Sequence, residues 1–344
     1  MPKEDKFVPL LRKLIKAVQL MIVCVLGSSA FFISKELGLF KIKPLFGPKE
    51  DFNEAIVNES TDLQYWQAPD TSSIPKGPEG DLIKYGRNLI AHTSVYLGPN
   101  GKAFQISNGM NCQNCHLKAG TIPFGNNYGK VAATYPKLRN RSGTVEGFEK
   151  RVNDCIERSL NGEKLPEDSR EMKAMVAYLK WVGKEVPKGQ MMPGFGLKSL
   201  EPLDRAADPI RGSIVYKNYC ARCHGDNGQG QLANNGMEWL YPPLYGENSY
   251  NIGAGLYRLS RFASFVKSNM PFGINHENPF LSDEEAWDVA AYVNSMPRPN
   301  MDLSGDWPDI SKKPFDHPFG PYTDSFPESQ HKFGPFTAII DSKP

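Results

Sequence analysis

The chain has 344 residues, 40% of them hydrophobic, and its 28 prolines and 31 glycines predict long irregular connections. Once an N-terminal segment is set aside, this length is enough for two domains of ordinary size. The net charge is only +2 and the basic residues are scattered, which excludes nucleic acid as a partner.

The first residues, 1–40, predict a membrane segment. Five lysines and arginines precede an almost uncharged stretch at 17–33, an order typical of exported proteins whose basic end stays in the cytoplasm. Because no clear cleavage site follows, we expect an uncleaved transmembrane helix that anchors the chain in the inner membrane, with the remainder on the periplasmic side. A cleaved signal peptide is the alternative. Residues 41–79 are polar and rich in proline and glycine, and we expect a tether there.

After the tether, one pattern occurs twice, in a first domain at 80–187 and a second at 208–298. Helical periodicity predicts three helices in each domain, at 81–94, 145–160, 169–182, 208–219, 256–268 and 282–296. The last of them begins with a capping box, Ser282 and Glu285. We expect a linker at 188–207 and an irregular C-terminal tail at 299–344.

Each domain carries a C-x-x-C-H motif behind its first helix. The motif residues are Cys112, Cys115 and His116 in the first domain and Cys220, Cys223 and His224 in the second. This motif attaches haem c, since its two thiols form thioethers with the porphyrin and its histidine binds the iron as proximal ligand. A zinc site would need further Cys or His pairs at ligand spacing, and the sequence has none. The sequence therefore predicts two covalently attached haems c. The predicted fold is all-α, with two fused class I cytochrome c domains, loop-rich connections and an N-terminal transmembrane helix.

The distal ligand of the second haem is predicted from its place in the repeat. Met270 lies between the second motif and the last helix, and the following proline suits a rigid loop. His276 is the alternative ligand, although a histidine in such a loop is more often a surface residue. A His/Met pair raises the potential of a haem, which suits an electron-transfer site.

The first domain has no such methionine. Between His116 and the helix at 169–182 there is neither Met nor His, and Cys155 stands in the interval instead. We therefore predict Cys155 as the distal ligand of the first haem. Free cysteines are usually small core residues, which is one alternative. Another alternative is that Met191 or Met192, in the linker, binds the iron of the first haem.

Arginines accompany this cysteine. Arg151, Cys155 and Ser159 share one helix face because they are spaced four residues apart, and Arg139 and Arg141 lie just upstream. A solvated charge is the ordinary explanation of any one of these arginines. Several of them around a thiolate would hold a dianion beside it, which indicates chemistry on a small sulfur oxyanion.

At these residues the chain resembles the dihaem thiosulfate dehydrogenases, tetrathionate-forming enzymes some of which work as tetrathionate reductases. The resemblance runs from about residue 80 to the C-terminus. It is carried by NCQNCH, YPKLRNRSG, RVNDCIERSLNG, NYCARCHGDNGQG, SNMPFG, DWPDISKKPFDHPFGPY and QHKFGPF. Some members have a lysine before the distal methionine that can also bind iron, whereas this chain has Asn269. The expected membrane anchor also differs from the soluble periplasmic members.

The resemblance implies a ligand set and a reaction. The first haem would have His116 and Cys155, and the second His224 and Met270. Thiosulfate would lie among Arg141, Arg151 and Ser159. Two thiosulfates would be interconverted with tetrathionate, and the electrons would pass through the second haem to an external cytochrome or a quinone-linked partner.

Proteins of other classes remain as alternatives. A membrane-anchored dihaem electron carrier or terminal-oxidase subunit would have two such motifs, but it would be expected to use methionine on both haems. A dihaem peroxidase would need an open or His-ligated iron.

Overall fold

The computed structural model describes Lys16, Gln19, Met21 and residues 65–343. The predicted anchor at 17–33 therefore lies almost wholly outside the described residues. Among those that are described, no helix is long and apolar enough to cross a membrane. This finding contradicts the predicted membrane-anchored location, and that prediction is wrong. A physical reason is length, since 17 residues in a helix cover about 26 Å, less than the roughly 30 Å of a hydrocarbon core.

Residues 65–343 contain six helices of at least 11 residues, three in each half of this part of the chain. They are α1 (Pro78–Ala91), α2 (Phe148–Ser159), α3 (Arg170–Val182), α4 (Pro209–Tyr219), α5 (Leu259–Asn269) and α6 (Asp283–Ser295). Shorter helices lie at Thr93–Leu97, Leu117–Gly120, Val131–Thr134, Ala221–His224, Glu328–Phe333 and Thr337–Asp341. All six predicted helices are present, with ends within three residues of the expected positions.

Two small antiparallel hairpins make the fold not purely α-helical. In the first, β1 (Lys137–Arg139) pairs with β2 (Thr144–Glu146), and in the second, β3 (Gln231–Leu232) pairs with β4 (Trp239–Tyr241). The predicted helix at 145–160 starts later than expected because its first residues belong to β2. Thr144 and Val145 are β-branched and favour a strand, and Gly143 supplies the left-handed turn residue before them with φ 68°.

The two halves share one packing arrangement. In the first, α1 crosses α3, and in the second, α4 crosses α6. Glycine stands at each crossing: a Cβ on Gly86 would lie 1.9 Å from the Ala174 carbonyl oxygen, and a Cβ on Gly212 would lie 1.9 Å from that of Asp288. The close backbone approach therefore depends on these glycines. The internal repeat of the sequence is a repeat of this helix pair.

Residues outside the predicted domains also pack against the first core. Trp66, within the predicted tether, is 3% exposed, and its backbone N–H donates to the Pro193 carbonyl over 3.0 Å. Within the predicted linker, the carbonyls of Gly194 and Gly196 accept from the amides of Phe124 and Asn126, each over 2.8 Å. These contacts support the loop at 124–126. The Asn126 carbonyl of this loop accepts a hydrogen bond from the motif residue His116.

Candidate active site

The first motif lies in a tight turn between α1 and the loop at 124–126. Cys112 begins a 3₁₀ turn that ends at Asn114, and its amide donates to the Thr93 hydroxyl over 2.9 Å. The His116 Nδ1 donates to the Asn126 carbonyl over 2.5 Å, which leaves Nε2 as the free nitrogen. Burial lowers the pKa of His116 to about 4, so this imidazole is neutral at physiological pH. A neutral imidazole oriented through Nδ1 is the form that binds a metal.

The second motif repeats this geometry. Cys220 caps the end of α4, and the helix Ala221–His224 carries the rest of the motif. The His224 Nδ1 donates to the Pro242 carbonyl over 2.8 Å, and burial lowers the pKa of His224. Both histidines therefore present Nε2 with the opposite nitrogen already bonded, although the two carbonyls come from unrelated loops.

The donor set fits two covalently attached haems. The four motif cysteines form no disulfide with any of the described residues, so their sulfurs remain available for thioether bonds. Each motif thus brings two unpaired thiols and one neutral imidazole together, which is the set that thioether attachment and axial ligation require.

Met270 and its rival His276 lie in different surroundings. Met270 caps the end of α5 and packs against the second core. The His276 ring lies between the rings of Tyr65 and Phe124, with centroids 4.9 and 4.8 Å away. Its contacts are therefore with residues that pack on the first domain. This placement favours Met270 as the ligand, which stays a prediction.

Cys155 lies in the middle of α2 and is hydrogen-bonded to Arg151. The Nη1 of Arg151 donates to the Cys155 Sγ over 3.0 Å. The charge of Cys155 is the main cause that raises the pKa of Arg151, and it also acts on the thiols of Cys112 and Cys115. The structure thus brings the predicted distal cysteine, its arginine and the first motif into one neighbourhood.

The other two predicted substrate residues are placed differently. Arg141 is ion-paired, since its Nη2 donates to the Asp154 carboxylate over 2.9 Å. Lys150 shares the same carboxylate, which is 4% exposed. Ser159 is the last residue of α2, one turn beyond Cys155. Arg151 is therefore hydrogen-bonded to Cys155 itself. The charge of Arg141 is instead partly neutralised by Asp154.

The structure adds residues that the sequence reasoning did not single out. Arg158 makes a bidentate ion pair with Asp306 of the C-terminal tail. Its Nη1 and Nη2 donate to the two carboxylate oxygens over 2.8 and 2.7 Å. The next tail residue, Trp307, donates its amide to the Arg141 carbonyl over 2.7 Å. The sequence signal for these contacts is the tail segment DWPDISKKPFDHPFGPY, which begins at Asp306 and Trp307.

Comparison with known proteins identifies both domains. The family described as SoxA/TsdA, cytochrome c domain, matches residues 102–187, and the cytochrome c family matches residues 210–297. Two cytochrome c domains, each with its C-x-x-C-H motif, carry two covalently bound haems c.

Curated relatives cover most of the chain. Thiosulfate dehydrogenase of Stutzerimonas stutzeri strain A1501 is 37% identical over 239 residues, which are 68% of this chain and 73% of that protein. The enzyme of the same name from Thiomonas intermedia strain K12 is 33% identical over 277 residues, 80% of this chain and 83% of that protein.

A solved structure shows the same fold. It is the thiosulfate dehydrogenase TsdBA from Marichromatium purpuratum in its as-isolated form, at a TM-score of 0.63 and 31% identity over 68% of this chain. The present chain spans 50% of the length of that chain. With two haem c domains and relatives at this identity and coverage, the chain belongs to the thiosulfate dehydrogenase family.

Proposed function

We propose that this protein is a dihaem oxidoreductase that interconverts two thiosulfates and one tetrathionate, with Cys155 as the reactive group. The observation that carries the proposal is the contact between the Arg151 Nη1 and the Cys155 Sγ, 3.0 Å apart beside the first motif. The names of the relatives support thiosulfate as the substrate.

The residues that would hold the two haems follow from the donor set. The first haem would take Cys112, Cys115 and His116, with Cys155 as the distal ligand, and the second would take Cys220, Cys223, His224 and Met270. When bound, the haems supply one-electron acceptor and donor groups.

The chain's own chemistry is a thiol–disulfide exchange. In the first step the Cys155 Sγ bonds to the outer sulfur of one thiosulfate, and two electrons leave this pair of sulfurs. In the second step another thiosulfate attacks the same outer sulfur, the bond to Sγ breaks, and tetrathionate departs with Cys155 restored as a thiolate. The two steps consume two dianions and release one dianion and two electrons, so atoms and charge balance.

Positive charge is needed because two dianions must meet. Arg151 lies against the reactive sulfur and can donate to both the thiolate and a bound sulfonate. Arg141 keeps one nitrogen on Asp154, so its other nitrogens are the donors available to substrate. Ser159 ends the same helix face and would add a hydroxyl.

The other function classes explain less. A pure electron carrier or a terminal-oxidase subunit has no use for a thiol that is hydrogen-bonded to a partly buried arginine. In the proposed reaction the electrons leave through the second domain to an external cytochrome or a quinone-linked partner.

The test is Cys155→Ala. The variant should keep two haems, since both motifs are untouched, and should lose thiosulfate oxidation and tetrathionate reduction together because both directions use the same sulfur. Haem content is measured after acid–acetone extraction, and turnover is measured with an artificial acceptor or donor. Arg87→Ala, at an exposed position of α1, is the control and should keep both activities. Thiosulfate turnover by Cys155→Ala would refute the proposal.

A further inference from the structure

Tyr135 is a buried tyrosine whose hydroxyl has no bonding partner. The residue precedes β1 and is 5% exposed. Its ring lies 6.0 Å from that of Phe148, the first residue of α2, and its carbonyl accepts from the Lys188 Nζ over 2.6 Å. Among residues 65–343, no atom forms a hydrogen bond with the Tyr135 hydroxyl. Since buried polar groups in native proteins nearly always have a partner, this hydroxyl points to a ligand.

The residues around this hydroxyl indicate where its ligand would lie. The side chains whose charges shift the pKa of Tyr135 belong to Arg151, Arg139, Glu146 and Cys155. Phe148, the ring that Tyr135 contacts, lies on the same face of α2 as Arg151 and Cys155, because the three residues are spaced three and four apart. Tyr135 therefore packs on the face of α2 that carries the proposed reactive sulfur. Burial raises the pKa of Tyr135, so the hydroxyl keeps its proton at neutral pH and serves as a donor.

A neighbouring donor is also unsatisfied. The Nε of Arg139 is buried and forms no hydrogen bond with any of the described residues, although it lies 3.7 Å from a carboxylate oxygen of Glu146. The other oxygen of this carboxylate accepts from the Ser142 hydroxyl over 2.7 Å. Near Tyr135, a positive group and its counter-ion thus already balance each other. A neutral hydroxyl adds a hydrogen bond to an anion at this place without adding charge.

We propose that Tyr135 is a substrate-binding residue whose phenolic O–H donates to a sulfonate oxygen of the thiosulfate held at Cys155. This inference rests on the proposed function and extends it. A sulfonate has three acceptor oxygens, and Arg151, which already bonds the sulfur, cannot satisfy them all. The hydroxyl would orient the sulfonate end so that the outer sulfur faces Cys155.

The experiment measures binding without turnover. Protein carrying both haems and Cys155→Ala is titrated with thiosulfate by calorimetry, with and without Tyr135→Phe. Loss of a hydrogen bond to an anion should raise the Kd by about tenfold to 100-fold. Tyr85→Phe in the same background is the matched control, because the Tyr85 hydroxyl bonds Glu171 between α1 and α3. It should leave the Kd unchanged.

An unchanged Kd in Tyr135→Phe would overturn the inference alone. If the potential of the first haem also shifts in a redox titration, the hydroxyl is assigned to a porphyrin carboxylate instead. If the Cys155→Ala parent does not bind thiosulfate, the groups around Cys155, Tyr135 included, do not hold the sulfonate, and this inference is overturned. The proposed function fails on a different readout, which is turnover of thiosulfate by Cys155→Ala.

Discussion

At the scale of single residues, the electrostatic interaction with Cys155 keeps Arg151 protonated. Cys155 raises the pKa of this guanidinium, so Arg151 stays charged although it is only partly exposed. Arg151→Ala should keep both haems and raise the KM for thiosulfate about tenfold to 100-fold, since a charge-assisted hydrogen bond contributes roughly 1.5–3 kcal/mol. Steady-state kinetics measure this effect. Arg87→Ala, at an exposed position of α1, is the control and should leave the KM unchanged. An equal KM in the two variants would argue against substrate contact by Arg151.

His317 makes the C-terminal tail sensitive to acid. Burial lowers its pKa to about 4, and its ring lies 5.7 Å from that of Trp307. An exposed histidine titrates near 6.5, so the unfolded chain binds the extra proton first as the pH falls. Stability associated with His317 is therefore complete above about 6.5 and is lost between 6.5 and 4, by at most roughly 3 kcal/mol.

The corresponding variant is His317→Gln. Its thermal midpoint should fall less steeply than that of the parent between pH 7 and pH 4. Parallel curves for the two proteins would show that His317 does not titrate in this way.

At the scale of elements, the two helix crossings depend on glycine. Gly86→Ala and Gly212→Ala would each place a Cβ 1.9 Å from a backbone oxygen of the partner helix. Because backbone cannot move aside as a flexible side chain can, each variant should lose about 1–3 kcal/mol or more. Denaturant unfolding of the protein with haems attached measures this loss. At Gly255 an added Cβ meets nothing within 4 Å, so Gly255→Ala is the control. If all three variants unfold alike, the crossings are looser than described.

At the scale of the whole molecule, the tail ties the two domains together. Asp306 follows the second domain and pairs with Arg158 at the end of α2, and each of the two side chains is 11% exposed. Asn251 of the second domain also donates to the Glu157 carbonyl over 2.8 Å and to the Asn161 side chain over 3.0 Å. Helix α2, which carries Cys155, is therefore supported from the second domain as well as from the first.

This support predicts a strong effect of Asp306→Ala. Arg158 would be left as an uncompensated buried charge, so the free energy of unfolding should fall by about 3–5 kcal/mol. Asp81→Ala removes an exposed pair in which Lys84 lies 3.9 Å away, and it should change stability by less than about 1 kcal/mol. Thermal or denaturant unfolding measures both. Equal effects would mean that the tail contributes little to the stability of the molecule.

The sequence by itself determined the features that depend on neighbours along the chain. The two C-x-x-C-H motifs lie within five residues each, so the cofactor could be predicted from them. The helices followed from periodicity, and the capping box of Ser282 and Glu285 is present as predicted because its hydrogen bonds span three residues. The shared face of Arg151 and Cys155 also follows from helix geometry alone.

Only the tertiary structure decided which distant groups meet. The pairing of Arg141 with Asp154, the bond from Arg158 to Asp306 and the buried hydroxyl of Tyr135 all depend on how α2, the first hairpin and the tail pack together. Helix periodicity could not place the start of α2, because the hydrogen bonds of β2 are formed with β1 and not within the segment itself. Residue type indicates what a side chain can bind, whereas packing decides which partner is within reach and which charge remains for a substrate.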